Sequence, residues 1–236
     1  MSQPSKLRRS YFITGTDTGV GKTLFSCALL HAAAQAGYRT AAIKPVAAGG
    51  VQTSAGLRNH DAVLLQAAST EALSYEEVNP FCLDLAVAPH IAAERAGRRL
   101  KVERIAGFCH GVLMRRANLT VIEGAGGWRV PLNDQETLAD LAKQLKVPVI
   151  LVVGLQLGCL NHALLTAEAI YHDGLELAGW VANSIEPDMP ERAANIATLQ
   201  QQLPAPLLAD IPWLPDATGE QAAAWVNLSA LLSINT

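Results

Sequence analysis

Closely spaced cysteines are missing from this chain. Its four, Cys27, Cys82, Cys109 and Cys159, are scattered over 236 residues with no C-x-x-C pair. That excludes a disulfide framework and predicts reduced thiols in a cytoplasmic protein. The six histidines show no H-E-x-x-H or comparable spacing, so no structural zinc site is expected. Only 17% of residues are charged, the net charge is −3, and no basic block extends beyond Lys6-Leu7-Arg8-Arg9. Non-specific nucleic-acid binding therefore lacks an electrostatic basis. No apolar stretch is long and unbroken enough to span a bilayer, and Met1 to Lys6 carries no apolar signal region, so no membrane partner is expected. Internal repeats and low-complexity linkers are absent too.

Half of the residues are hydrophobic, which suits one folded α/β domain with a sizeable core over 1–236, preceded by a flexible extension at 1–9. Apolar runs of strand length recur at 10–14, 40–43, 119–122, 148–153, 177–182 and 207–211. Helical periodicity fills 22–36, 59–68, 100–116, 136–145, 161–172 and 191–202 between most of them. Near-continuous Val/Ile/Leu runs such as Val149-Ile150-Leu151-Val152-Val153 belong to a sheet covered on both faces. Their alternation with helices predicts a mostly parallel sheet with right-handed crossovers. The segments 47–58 and 184–190 read as loops, the first of them mobile over the sheet edge.

One stretch carries most of the chemistry. Gly15-Thr16-Asp17-Thr18-Gly19-Val20-Gly21-Lys22-Thr23 lies between an apolar run and a helical pattern. A small-residue loop from strand to helix aims backbone N–H groups at phosphate oxygens, Lys22 adds positive charge, and the Thr23 hydroxyl reaches Mg²⁺. The usual G-x-x-x-x-G-K-[ST] pattern wants its first glycine at 16. Here 16 is Thr16 and the glycine is Gly15.

Ligands of open parallel sheets bind beyond the carboxyl ends of the strands. Those ends deliver Lys44-Pro45, then Glu123-Gly124-Ala125-Gly126-Gly127, then Gly154 to Asn161, and finally Asn183. Glu123 stands where phosphate-loop enzymes keep a second Mg²⁺ ligand, against the alternative of an ordinary surface carboxylate. Lys44 is either a charge fixed beside the crevice or a surface lysine. Asp61 is open to two readings, a metal ligand or a helix-capping carboxylate. Asn183 faces the ligand crevice or simply ends a strand, and Cys159 and His162 need have no chemistry at all. No Ser/His/Asp or Cys/His nucleophilic arrangement is visible.

Taken in order, these blocks resemble the dethiobiotin synthetase family of phosphate-loop proteins. The likeness rests on Gly15 to Thr23, Lys44-Pro45-Val46-Ala47, Gly56 to Asp61, Glu123 to Trp128, Leu157 to His162, Gly179 to Asn183 and Ile211-Pro212-Trp213-Leu214, and it fades after Leu214. The resemblance implies an ATP-dependent ring closure of 7,8-diaminononanoate with CO₂. It implies Thr23, Asp61 and Glu123 as Mg²⁺ ligands, and Lys22 and Lys44 as the catalytic cations. Gly19, Val20, Gly21, Lys22, Thr23, Leu24, Gly124, Ala125 and Gly126 would hold ATP, with Asn183, Ser184, Pro212, Trp213 and Leu214 around the base. Lys44, Ala48, Gly126 and the amides of Cys159, Leu160 and Asn161 would hold the substrate, the last three from the partner subunit of a homodimer. The family has a serine where this chain has Ala48, so one hydroxyl contact is missing from the implied substrate site. The rival reading is a dimeric regulatory or partitioning-type ATPase, but its extra signature lysine is absent from Thr16-Asp17-Thr18.

Overall fold

The computed structural model describes residues 8–233, so most of the expected N-terminal extension lies outside the described residues. The chain opens with β1 (Arg9–Gly15), α1 (Lys22–Gln35), β2 (Thr40–Ile43) and three short strands, β3 (Val46–Ala47), β4 (Val51–Thr53) and β5 (Gly56–Arg58). Next come α2 (His60–Ala68), α3 (Tyr75–Val78), β6 (Phe81–Cys82), α4 (Pro89–Arg95) and α5 (Val102–Leu113). The second half runs β7 (Leu119–Gly127), α6 (Leu138–Leu145), β8 (Val149–Leu155), α7 (Cys159–His172), β9 (Leu177–Ser184), α8 (Arg192–Gln202) and β10 (Leu207–Ile211). Short turns α9 (Gly219–Ala222) and α10 (Leu228–Ser233) follow.

One six-stranded sheet in the order β10-β9-β8-β1-β7-β2 forms the centre, and every pairing in it is parallel. β8 and β9 are buried along their whole length, as the apolar runs Val149–Leu155 and 177–182 require, with Asn183 and Ser184 buried at the end of β9. Helix α1 packs against α2 and α9, α5 packs against α6, and α7 against α8. β1 sits between β7 and β8, so the phosphate-loop segment emerges from the middle of the sheet, where the chain winds outward in both directions. Among the described residues no helix is long and apolar enough to cross a membrane.

Two expectations need correction. The segment 47–58 is not a featureless loop: β4 and β5 form an antiparallel hairpin pairing Val51 with Arg58 and Thr53 with Gly56. The Thr53 hydroxyl closes its turn by donating to the Gly56 carbonyl at 2.8 Å. The polar, small residues there suggested a loop because both strands lack the apolar alternation of a half-buried ribbon. Helix α7 also starts earlier than its periodicity suggested, at Cys159, behind Gly158 with φ +94°.

Candidate active site

β1 ends at Gly15, and the chain turns through residues 16–21 before α1 begins at Lys22. Gly21 precedes the helix with φ +93°, and no side chain caps the first turn. The free amides there make an anion site of the loop's concave face. Gly21 is irreplaceable for a second reason: a Cβ on it would lie 2.1 Å from Asn183 Nδ2. That amide donates to the Val20 carbonyl at 2.9 Å, tying the end of β9 to the loop. A carbonyl can only accept, so the NH₂ end of Asn183 must face Val20 and Oδ1 must face the other way. Asn183 Oδ1 is buried and has no hydrogen-bond partner.

Sheet register assembles the charged cluster. Ile43 of β2 pairs with Ile122 of β7, so the next residues, Lys44 just past β2 and Glu123 within β7, stand side by side. Lys44 Nζ lies 2.7 Å from Glu123 Oε1 and 2.8 Å from Asp61 Oδ2. The Thr23 hydroxyl donates to the same Glu123 Oε1 at 2.8 Å. Two carboxylates widely separated in sequence thus converge on one lysine, and Thr23 joins them through Glu123. The capping reading of Asp61 fails here. Asn59 caps α2, its side chain accepting from the Ala62 amide, while Asp61 sits in the first turn and reaches Lys44. Glu123 is fully buried, and its second oxygen, Oε2, has no partner. Among the described residues no group of three or more His, Cys, Asp or Glu forms a metal cage. The oxygen donors available are two carboxylates and a hydroxyl.

The two lysines are shifted in opposite directions. Burial, together with the nearby Lys44 charge, lowers Lys22 to about 8 despite the opposing carboxylates. Its ammonium donates to the Asp17 carbonyl at 2.8 Å. Burial would lower Lys44 too, but Glu123 and Asp61 outweigh it and raise its pKa above 10.5. Burial likewise works against the Asp61 carboxylate, yet the Lys44 charge and hydrogen bonds from Lys44 and Thr23 hold it below 3.8. The site therefore keeps one lysine firmly charged and another near its switching point.

A cavity of about 720 Å³ opens over this cluster. Of the residues expected in the site, Gly19, Gly21, Lys22, Thr23, Leu24, Lys44, Ala48, Asp61, Ala125 and Gly126 line it. Val20 and Glu123 are buried beneath. Gly124 lies against the Phe12 ring and the Ile13 carbonyl. Asn183 reaches the loop from the side of β9, whereas Ser184, Pro212, Trp213 and Leu214 do not line this cavity. Ser184 instead accepts from Arg192, which also holds Asp210 and the Ile211 carbonyl, so the ends of β9 and β10 are braced together. Cys159, Leu160 and Asn161 stand outside the cavity at the start of α7, and the Cys159 amide is already donated to Gln156 O at 3.0 Å. Sequence reasoning missed two walls, one of them formed by Val130 and Pro131. Ala86, Val87, Ala88 and Pro89 line the cavity ahead of α4, where only Pro89, a helix-opening proline, left a signal.

Comparison with known proteins bears on the family and the fold. The AAA domain family matches residues 9–221. The ATP-dependent dethiobiotin synthetase BioD of Cellvibrio japonicus is 55% identical over 95% of this chain and 98% of its own length. The enzyme of the same name from Pseudomonas paraeruginosa is 52% identical over 94% of this chain and 97% of its own. Among solved structures, the MinC:MinD cell division complex of Aquifex aeolicus matches with a TM-score of 0.56 at 16% identity, covering 88% of this chain and 82% of that one. A ParA family ATPase from Chlorobium tepidum matches with a TM-score of 0.56 at 12% identity, over 97% of this chain and 93% of its own. At such identities the likeness shows the fold alone.

Proposed function

The chain belongs to the ATP-dependent dethiobiotin synthetase family, and from that premise we propose that its cavity closes a ureido ring on 7,8-diaminononanoate, using CO₂ and ATP, in biotin biosynthesis. The observation that carries the reading is the second buried lysine. A phosphate loop needs only Lys22 to hold nucleotide, whereas Lys44 adds a permanent cation beside it at the cavity floor. Two cations at one point suit a reaction that brings two anions together.

Adjacent ammonium groups on a vicinal diamine repel each other, so one amine loses its proton readily and captures CO₂ as a carbamate. A carbamate oxygen then attacks the γ-phosphorus of ATP, and ADP leaves. Lys22 and Lys44 hold the carbamate and γ-phosphate, both anionic, within reach, which is most of what phosphoryl transfer requires. The second amine attacks the carbonyl carbon of the mixed anhydride and expels phosphate, closing the ring. The enzyme supplies no nucleophile.

Thr23, Asp61 and Glu123 would hold Mg²⁺. The fit rests on the unpartnered Glu123 Oε2 and on an all-oxygen donor set, which suits a hard divalent cation. When bound, the ion neutralises charge on the β- and γ-phosphate oxygens. Asn183 would read the base: with its NH₂ held by Val20, Oδ1 can only accept, which matches the amino group of adenine and not the carbonyl of guanine. Ser184 and Pro212 to Leu214 would form the outer wall of that base site, and Ala48 would leave one edge of the substrate pocket without a hydroxyl.

A homodimer completes the reading. The amides of Leu160 and Asn161, at an uncapped helix start, offer an anion site for the substrate carboxylate of the other subunit. Leu157, 99% exposed just before α7, and Leu165, 56% exposed on it, suit burial against a second copy. Four free cysteines support a cytoplasmic location.

The test is phosphate release that requires both bicarbonate and the diamine, with product mass as readout. Turnover with ATP alone would return the chain to the regulatory ATPases that share its fold.

A further inference from the structure

Asp173 ends α7, a helix whose C-terminal carbonyls disfavour a carboxylate. It is nevertheless well ordered by partners from elsewhere. Trp128 Nε1 donates to Asp173 Oδ2 at 2.7 Å, and Arg129 places a guanidinium nitrogen 2.8 Å from the same oxygen. Lys143 Nζ lies 4.0 Å from Oδ1 and is itself paired with Asp140 at 2.7 Å. The Asp173 side chain is only 8% exposed.

The residues it holds have unusual neighbours. Gly126, Val130 and Pro131 all line the active-site cavity. Between them lie Trp128 and Arg129, whose side chains both end on Asp173. The wall is thin and tightly folded: Val130 packs over Gly126, where a Cβ would meet its Cγ2 at 2.9 Å. Trp128 is buried, its ring edge-on to Phe12 with centroids 6.1 Å apart. Phe12 in turn lies under Gly124, whose missing Cβ would stand 3.2 Å from that ring. Gly124 to Gly127 are held in β7 by its pairing with β1, and beyond them the chain to Pro131 is fixed by one edge-on indole, one carboxylate and the bond from the Leu138 amide to the Val130 carbonyl.

We propose that Asp173 is a positioning residue for the synthetase reaction: by gripping Trp128 and Arg129 from behind, it sets the Gly126–Pro131 wall against which the diamine is held. Arg129 is half exposed and its ion pair is screened, so the buried Trp128 hydrogen bond carries most of the effect. The phosphate loop is anchored by Asn183 and by the Lys22–Asp17 bond, and Gly126 and Gly127, which meet it at Thr18 and Gly15, are held by the pairing of β7 with β1 and not by Asp173. The consequence is a selective defect, in diamine use and not in ATP use. This selectivity rests on the function proposed above, whereas the grip itself does not.

The experiment has two arms, on Asp173→Ala and Asp173→Asn in the full chain. Hydrogen–deuterium exchange without substrates reads the grip: peptides covering 124–131 exchange faster in Asp173→Ala, while those covering 15–23 stay as in the wild type. Kinetics read the consequence: kcat/KM for the diamine falls about ten- to a hundredfold in Asp173→Ala with the KM for ATP unchanged. Asp173→Asn, which keeps an acceptor for the Trp128 N–H, recovers most of both. Unchanged exchange at 124–131 overturns the proposal, as does an equal loss for both substrates that follows a lowered melting temperature. Wild-type protein without diamine-dependent turnover would sink the synthetase reading, and the exchange arm would still decide the role of Asp173.

Discussion

Replacing Lys44 by Gln tests the centre of the site from two sides at once. The lysine is 4% exposed and neutralises Glu123, which is fully buried, as well as Asp61. Its removal leaves a buried carboxylate without a counter-charge, and breaking a buried pair in this way costs about 3–5 kcal/mol. The Gln amide can still donate one hydrogen bond, so the lower end of that range applies. For a domain of this length each kcal/mol lowers the melting temperature by about 2–4 °C, so a drop of about 6–12 °C is expected in the ligand-free protein. Added Mg²⁺ should restore part of that drop in Lys44→Gln, where the carboxylates lack a cation, and should shift the wild type less. Turnover should fall about 10²–10³-fold, the usual cost of one preorganised charge at the reacting atoms. The pH dependence has a definite sign. Asp61 has its pKa lowered from 3.8, so its share of the stability is present above that value and is lost as pH falls through the lower, folded-state value. Acidification should therefore narrow the gap between the two proteins. Melting curves with and without Mg²⁺, together with phosphate-release rates, check all of this. A Lys44→Gln protein that melts with the wild type and turns over normally would refute both the counter-ion and the catalytic role.

Three further outcomes are expected. Gly21→Ala forces φ +93° on a residue with a side chain and drives a Cβ into Asn183, so fluorescent-nucleotide titration should show affinity largely lost; retained affinity would mean that the loop is remade on binding. Lys22, lowered to about 8, is partly neutral at pH 8 in the free protein, and a polyanion favours its charged form, so ATP binding should take up protons at pH 8 and fewer at pH 7. Calorimetry in two buffers of different ionisation enthalpy reads that uptake, and its persistence in Lys22→Met would assign it elsewhere. Burial raises Cys27 and Cys109 to about 12, so both should survive alkylation of the native protein at pH 8 unmodified, as followed by mass spectrometry; early labelling of either would show that α1 or α5 opens.

The central strands and the longer helices were legible because each buries a continuous or periodic apolar face, a property of neighbouring residues. What escaped depended on pairs distant in the chain. Asp61 was a cap or a ligand until the structure showed Asn59 already capping α2. Asn183 could present either end of its amide until the Val20 carbonyl fixed which way it faces. Ala86 to Pro89 form a cavity wall from residues that carry no functional group, so only their location gives them a role. Asp173 and Trp128 are 45 residues apart, and although Trp128 closes the Glu123 to Trp128 block, Asp173 belongs to no recognisable motif.

The displaced first glycine of the phosphate loop shows how such a departure is absorbed. The steric demand lies at residue 15 and not at 16. A Cβ on Gly15 would stand 2.6 Å from Val20 Cγ2, 3.0 Å from the Asp17 carbonyl and 3.1 Å from Lys22 Nζ, so a side chain there would push the lysine out of the loop. Thr16 stands just past the end of β1 and carries its side chain there while still bonding to β8. Its amide donates to the Val152 carbonyl at 3.0 Å, and its hydroxyl accepts from the Gly154 amide at 3.4 Å. β8 returns the accommodation at Gly154, where a Cβ would meet Val20 at 2.8 Å. The loop therefore closes around Val20, with glycines at 15 and 154 on either side of it. Enlarging either residue should harm nucleotide binding more than Thr16→Gly, which removes only one long hydrogen bond. If Thr16→Gly proved the most damaging of the three in a nucleotide titration, the usual spacing would hold here after all, and Gly15 would be incidental.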